Sequence, residues 1–136
     1  MHALLMVCLA FDLAAIKLEP NLERRSDLAL QNASAAMDAA RDASAAGDIG
    51  KVKSSLEELR DSVDLAYQSL VDSGKSARRN PKFFKRAELK TRELMRRLES
   101  LGNAVDSDDR AAVDSVRDGV SKIHDHLIED IMEKKK

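Results

Sequence analysis

The residues of this chain best suited to chemistry are a run of basic side chains, two closely spaced histidines and one cysteine. Between Lys75 and Arg97 stand ten basic residues against only two acids, Glu88 and Glu93, although the whole chain carries a formal net charge of -1. Lys75, Arg78, Arg79, Lys82, Lys85 and Arg86 follow one another with no acid between them. Ammonium and guanidinium groups gathered in this way are donors for phosphate or carboxylate oxygens. Phe83, inside the run, adds a ring able to stack or insert, whereas Phe84 falls on an apolar stripe and belongs to a core. Lys75, Arg78, Arg79, Lys82, Phe83, Lys85 and Arg86 are therefore the candidate site, and an anionic ligand or an acidic protein is the partner it would suit. The competing expectation is that this segment lies between acidic second and fourth helices and that its charges pair across those seams, as flanking charges do in coiled coils.

Other constellations fall short of a reaction. His124 and His126 lie about 200° apart on a helix, so one ion cannot take both. Three residues before them stand Ser121 and Ile123, where a Glu-x-x-His metal site of a helical bundle would need carboxylates. Exported bundles of this size resemble the four-helix b-type cytochromes, but Ser26 occupies the position of the axial methionine in that family. Gly74-Lys75-Ser76 lacks the earlier glycine and the preceding strand of a phosphate loop, since Ser69 stands in the glycine's place. The carboxylates are spread along faces expected to be solvated, and no serine sits in a nucleophile elbow. No metal, no cofactor and no enzymatic activity are expected.

The elements that must carry these residues are long helices. The composition favours them: five glycines, two prolines and 3% aromatic residues, with Ala, Leu and charged residues abundant. The first helix is expected over 21–46, after Pro20 and a capping Asn21, with an inward stripe of Leu22, Ser26, Ala29, Ala33, Ala36, Ala40 and Ala43. Gly47 serves as a left-handed cap and Asp48 starts a second helix over 48–73, striped by Ile49, Val52, Leu56, Leu59, Val63, Ala66 and Leu70. Asn80-Pro81 begins a third over 81–101, with Asn80 as cap, Phe84, Ala87, Thr91, Leu94, Leu98 and Leu101 inward, and Gly102-Asn103 as its stop. Asp106 or Ser107 caps a fourth over 107–134, striped by Val113, Val116, Val120, Ile123, Leu127 and Ile131, and Lys134 to Lys136 suit the negative end of its dipole. Four rods of similar length joined by short links predict one all-α domain over 17–136, an antiparallel up-down-up-down four-helix bundle.

Ahead of the bundle, residues 1–16 contain an apolar run from Ala3 to Ile16, broken only by Asp12 and including Cys8. The run is short for a bilayer span and suits the apolar core of a signal peptide with a small-residue exit at Ala14 and Ala15, although no basic residue precedes it. Export, to the periplasm, is the expectation; a cytoplasmic helix packed on the bundle is the alternative. The segments Lys17-Leu18-Glu19-Pro20-Asn21-Leu22-Glu23 and 80–94, Asn80 to Leu94, resemble those of small, uncharacterised exported helical-bundle proteins of soil bacteria. That resemblance implies an exported bundle and transfers no functional residue. The function expected is therefore binding of an anionic ligand or partner, the alternative being a self-associating scaffold that uses a second small-residue face at Ala35, Ala39 and Ala46 to form a homo-oligomer. No strong nucleic-acid signal accompanies the basic run, and no transmembrane span is expected after processing.

Overall fold

The computed structural model describes residues 12–133, so most of the apolar N-terminal run, with Cys8, and the terminal lysines lie outside the described residues. A single helical turn, Leu13–Ile16, comes first, with the Asp12 carboxylate accepting from the Ala15 amide at 3.2 Å. Four long helices follow: α1 (Leu22–Ala46), α2 (Ile49–Asp72), α3 (Pro81–Ala104) and α4 (Ser107–Met132). Among the described residues there is no strand. None of these helices is long and apolar enough to cross a membrane.

Local chemistry accounts for most helix ends. Asn21 accepts from the Arg24 amide at 3.0 Å and Asp48 from the Lys51 amide at 3.1 Å, so both side chains satisfy otherwise free donors in a first turn. Gly47 takes a left-handed φ of 75°, and the Asp48 amide reaches back to the Ala43 carbonyl at 2.9 Å, closing α1 by the six-to-one bond of a Schellman cap. Two expected ends differ. Asn80 and Asp106 stand at the cap positions of α3 and α4, but neither side chain makes a capping hydrogen bond. Helix α3 also runs through Gly102 and Asn103 to Ala104, because Gly102 is buried against α4, with the Val113 side chain 3.5 Å from where a Cβ would stand. Packing against a neighbour there outweighs glycine's low helix propensity, a cost of about 1 kcal/mol.

Successive helices alternate in direction, and the two tight links, Gly47-Asp48 and Val105-Asp106, make hairpins of α1 with α2 and of α3 with α4. The hairpins stack so that α1 lies beside α3 and α2 beside α4, whereas α2 and α3 meet only across the diagonal. Asp27 pairs with Arg86 and Asp38 with Arg97, at one constant offset of 59 residues, so α1 and α3 run parallel and in register. The expectation that the basic third helix sits between acidic second and fourth helices is thus corrected: its neighbours are α1 and α4.

The predicted stripes form the core. Met37, Leu56, Leu59, Val63, Leu94, Leu98, Val113 and Val120 fill one end, and Leu30, Leu70, Phe84, Ala87 and Leu127 the other, with Ile123 touching both. Ile49 is the stripe residue that escapes, at 38% exposure, because it opens α2 beyond the packed layer. Helix α1 buries five alanines and α2 buries Ser55, Ser62 and Ser69 at seven-residue intervals, small residues that suit the close contact of these two helices. Buried Asn32 ties the pair, donating from Nδ2 to Glu58 and to Ser62 at 2.8 Å each.

Ser26 is fully buried, and its hydroxyl is the buried side-chain polar atom that finds no partner among the described residues. Removing a desolvated, unbonded hydroxyl while improving helix propensity should help the fold. Ser26→Ala is expected to raise stability by about 1 kcal/mol. Urea titration checks this, and a lowered midpoint would show that the hydroxyl is bonded in solution.

Candidate anion site

The eight-residue connection from Ser73 to Asn80 and the first turns of α3 carry the candidate residues to one end of the bundle. Gly74 turns the chain at φ 70°, the Ser76 hydroxyl accepts from the Arg78 amide at 3.1 Å, and the Asn80 amide donates to the Ser76 carbonyl at 2.8 Å. Ala77, 4% exposed, plugs into the core and anchors the loop. Gly74, Lys75, Ser76, Arg78, Arg79 and Asn80 line an open concavity of about 830 Å³. Pro81 fixes the start of α3 and brings no amide hydrogen, and the next amides in that turn have no intrahelical acceptor. With no acid in the first turn, the positive end of the α3 dipole meets further positive charge.

The structure divides the six cations among the seven candidates into two groups. Lys75 pairs with Glu23 at 3.0 Å and Arg86 with Asp27, both acids lying on α1. Arg78, Arg79, Lys82 and Lys85 are exposed and form no salt bridge among the described residues. Phe83 is not free in the way the sequence suggested. Its ring is half-buried against the core at the α3 start, with Lys82 Nζ at 5.4 Å and the Arg86 guanidinium at 5.3 Å from its centroid. A half-buried ring with two cations close to it offers little free face for a ligand base. Pairing with an acidic helix therefore accounts for part of the cluster, but the acids come from α1.

One polar constellation escaped sequence reasoning. Glu88, taken there as one of the solvated carboxylates, is 7% exposed and faces α4. Arg92 grips it with two bonds, Nε to Oε2 at 2.9 Å and Nη2 to Oε1 at 2.8 Å, and His124 Nε2 lies 2.8 Å from Oε2. Burial alone would push the Glu88 carboxyl up, but the hydrogen bonds from His124 and Arg92 and their charges outweigh it and hold it below the usual carboxylate range. The signal available in the sequence was the four-residue spacing of Glu88 and Arg92; the His124 contact spans 36 residues and needed the fold. His126 stacks on Tyr67, with ring centroids 5.8 Å apart, and the Tyr67 hydroxyl donates to Asp130 at 2.9 Å. Burial, that hydrogen bond and the charges of Asp130 and Glu129 push the Tyr67 phenol up to about 12.

These contacts organise helix seams: three hydrogen bonds meet at the Glu88 carboxylate, and Asp130 holds the Tyr67 proton. Among the described residues no three His, Cys, Asp or Glu side chains gather to hold an ion. Ala35 and Ala39, read as part of a second small-residue face, are half-buried, and Ala46 is exposed. The chain matches no protein-family model, no curated protein and no solved structure.

Proposed function

We propose that this protein is a non-enzymatic helical bundle that works by binding an anionic ligand at the end formed by the 73–80 connection and the start of α3. The observation that carries this reading is the inequality within the basic cluster. Lys75 and Arg86 are neutralised by α1, while Arg78, Arg79, Lys82 and Lys85 stay exposed without an acid partner among the described residues. Four cations held beside an uncapped helix start repel one another and that helix's dipole, and a bound phosphate or carboxylate relieves both costs. The Lys75 and Arg86 bridges tie the loop and the start of α3 to α1, so Arg78 and Arg79, which line the concavity, and Lys82 and Lys85, in the first turns of α3, stand on a supported surface.

Retention on an immobilised anionic polymer tests this reading. Binding through phosphate-like contacts is expected to weaken steeply between about 50 and 300 mM salt, and replacing Arg78, Arg79 and Lys82 together by Gln should remove most of it. Retention indifferent to salt, or unchanged in that triple variant, would discard the site. The compartment we infer is outside the cytoplasm, an inference that rests on the apolar run before Lys17. Determining the first residue of the protein isolated from its cells tests it, with processing near Ala15 as the expected result.

A further inference from the structure

The basic residues of α3 continue past the loop and the first turns. Lys82, Lys85, Leu89, Arg92 and Arg96 are all exposed and follow one another at intervals of three, four, three and four, so they form one stripe about 21 Å long on the solvent side of the helix. Among the exposed residues of α3 from Lys82 to Arg96 there is no acid. Glu88 is buried, and Glu93, half-buried, pairs with Lys90. Arg92 is committed to Glu88, whereas Lys82, Lys85 and Arg96 form no salt bridge among the described residues.

Leu89 stands in the middle of this stripe, 57% exposed, and α4 adds two more apolar side chains beside it. The contact of Glu88 with His124, at 2.8 Å, fixes how these antiparallel helices lie together, and from His124 the chain of α4 runs back toward the start of α3. Ile128 and Met132 come four and eight residues later, 38% and 68% exposed, within about 80° of His124 around the helix and hence on the edge that borders α3. The exposed acids of this stretch, Asp125, Glu129 and Glu133, stand farther round, about 100° to 180° from His124, and Asp130 is turned toward Tyr67. Three of the six large apolar side chains that the described residues expose thus share the outer face of the α3–α4 hairpin with Lys82, Lys85 and Arg96.

Aliphatic groups in water, set between unpaired cations, suit a surface that is negative outside and apolar beneath. An anionic bilayer is such a surface, and it accepts an apolar side chain wherever one protrudes, without a shaped pocket. Lysine and arginine stems are long enough to hold their charges at the level of the lipid phosphates while shorter aliphatic chains go deeper. A nucleic acid would meet the cations but leave Leu89, Ile128 and Met132 in water, and Phe83, half-buried, gives it no free ring to stack on.

We propose that the outer face of the α3–α4 hairpin lies on an anionic lipid bilayer, with Leu89, Ile128 and Met132 entering the head-group region and Lys82, Lys85 and Arg96 meeting lipid phosphates. This rests on the anion-binding reading above and names the source of the anion.

Co-sedimentation of the full chain with vesicles tests it. Binding is expected to vesicles that contain phosphatidylglycerol and not to phosphatidylcholine alone. Replacing Leu89 and Met132 together by Ser should weaken it about tenfold, the effect of keeping two apolar side chains from leaving water, while retention on the anionic polymer and the melting midpoint stay unchanged. Arg96→Gln, outside the anion site, should weaken it about fivefold. The chain has no tryptophan, so Leu89→Trp supplies a single reporter whose fluorescence should shift to the blue as anionic vesicles are added. Retention on the polymer without vesicle binding would overturn this inference and leave the anion site standing, whereas absence of both would remove both. Vesicle binding undiminished in the Ser variant, an unmoved tryptophan signal, or tighter binding to duplex DNA than to vesicles at the same salt would also overturn it.

Discussion

Leu59→Ala is expected to lower the unfolding free energy by about 3 kcal/mol and the melting midpoint by about 10 °C. Leu59 is fully buried in the middle of the regular α2 stripe, packed in the cluster that joins all four helices. Deleting its branched end removes apolar area from the core and leaves a cavity, because its neighbours are held by four separate helices and cannot all close in. Alanine is the better helix former, so local propensity favours the variant slightly and the loss measured is tertiary. Leu89→Ala provides the contrast. Leu89 is 57% exposed on α3, and its truncation should change stability by less than about 0.5 kcal/mol. Equal effects at the two positions in chemical denaturation would mean that the stripes do not face one another as described.

The second large effect is expected at Glu88. Glu88→Ala leaves His124, a half-buried ring, and Arg92 without their shared acceptor, and about 2 kcal/mol of stability should be lost at neutral pH. The figure sits below that for a fully buried ion pair because the Arg92 side chain is 59% exposed and water screens it. The pH dependence has a definite sign. A carboxyl held below its ordinary value of 4.5 in the folded protein binds its proton less readily than in the unfolded chain. Its contribution is complete above about pH 4.5 and is lost as pH falls through the lower folded value. Wild type and Glu88→Ala should therefore differ most near pH 7 and converge toward pH 2, in urea midpoints measured across that range. A constant difference at every pH would show that the bonds to Arg92 and His124 contribute nothing linked to ionisation. The difference would then reflect packing of the side-chain stem alone.

Both effects depend on how the rods are arranged, and only part of that arrangement was legible in the chain. The residues that end a helix act within one or two turns of themselves, so Asn21, Gly47 and Asp48 could be read directly, and the structure shows the bonds they make. Each buried stripe repeats at three and four residues because one face of an isolated rod must be hidden whatever covers it. Asn80 and Asp106 were read by the same logic, and there the side chains make no capping bond, since residue type permits a cap without requiring one. The candidate site was legible as composition. Seven side chains were singled out, but which of them remain unpaired depends on acids 52 to 59 residues away on α1.

By itself, then, the sequence determined four helices, their ends within a few residues, their inward faces and the two hairpins, all properties set by short-range bonding and by the period of apolar residues. Tertiary structure alone decided which helices are neighbours. A two-residue link can only turn a chain back beside itself. The eight residues from Ser73 to Asn80 can stretch about 26 Å. Adjacent axes are about 10 Å apart and diagonal ones about 14 Å. Either route was open to that link, and the packed structure takes the diagonal one. That choice places Asp27 and Asp38 against Arg86 and Arg97, and it leaves Arg78, Arg79, Lys82 and Lys85, in the loop and the first turns of α3, as the cations without acid partners among the described residues on which the proposed anion site rests.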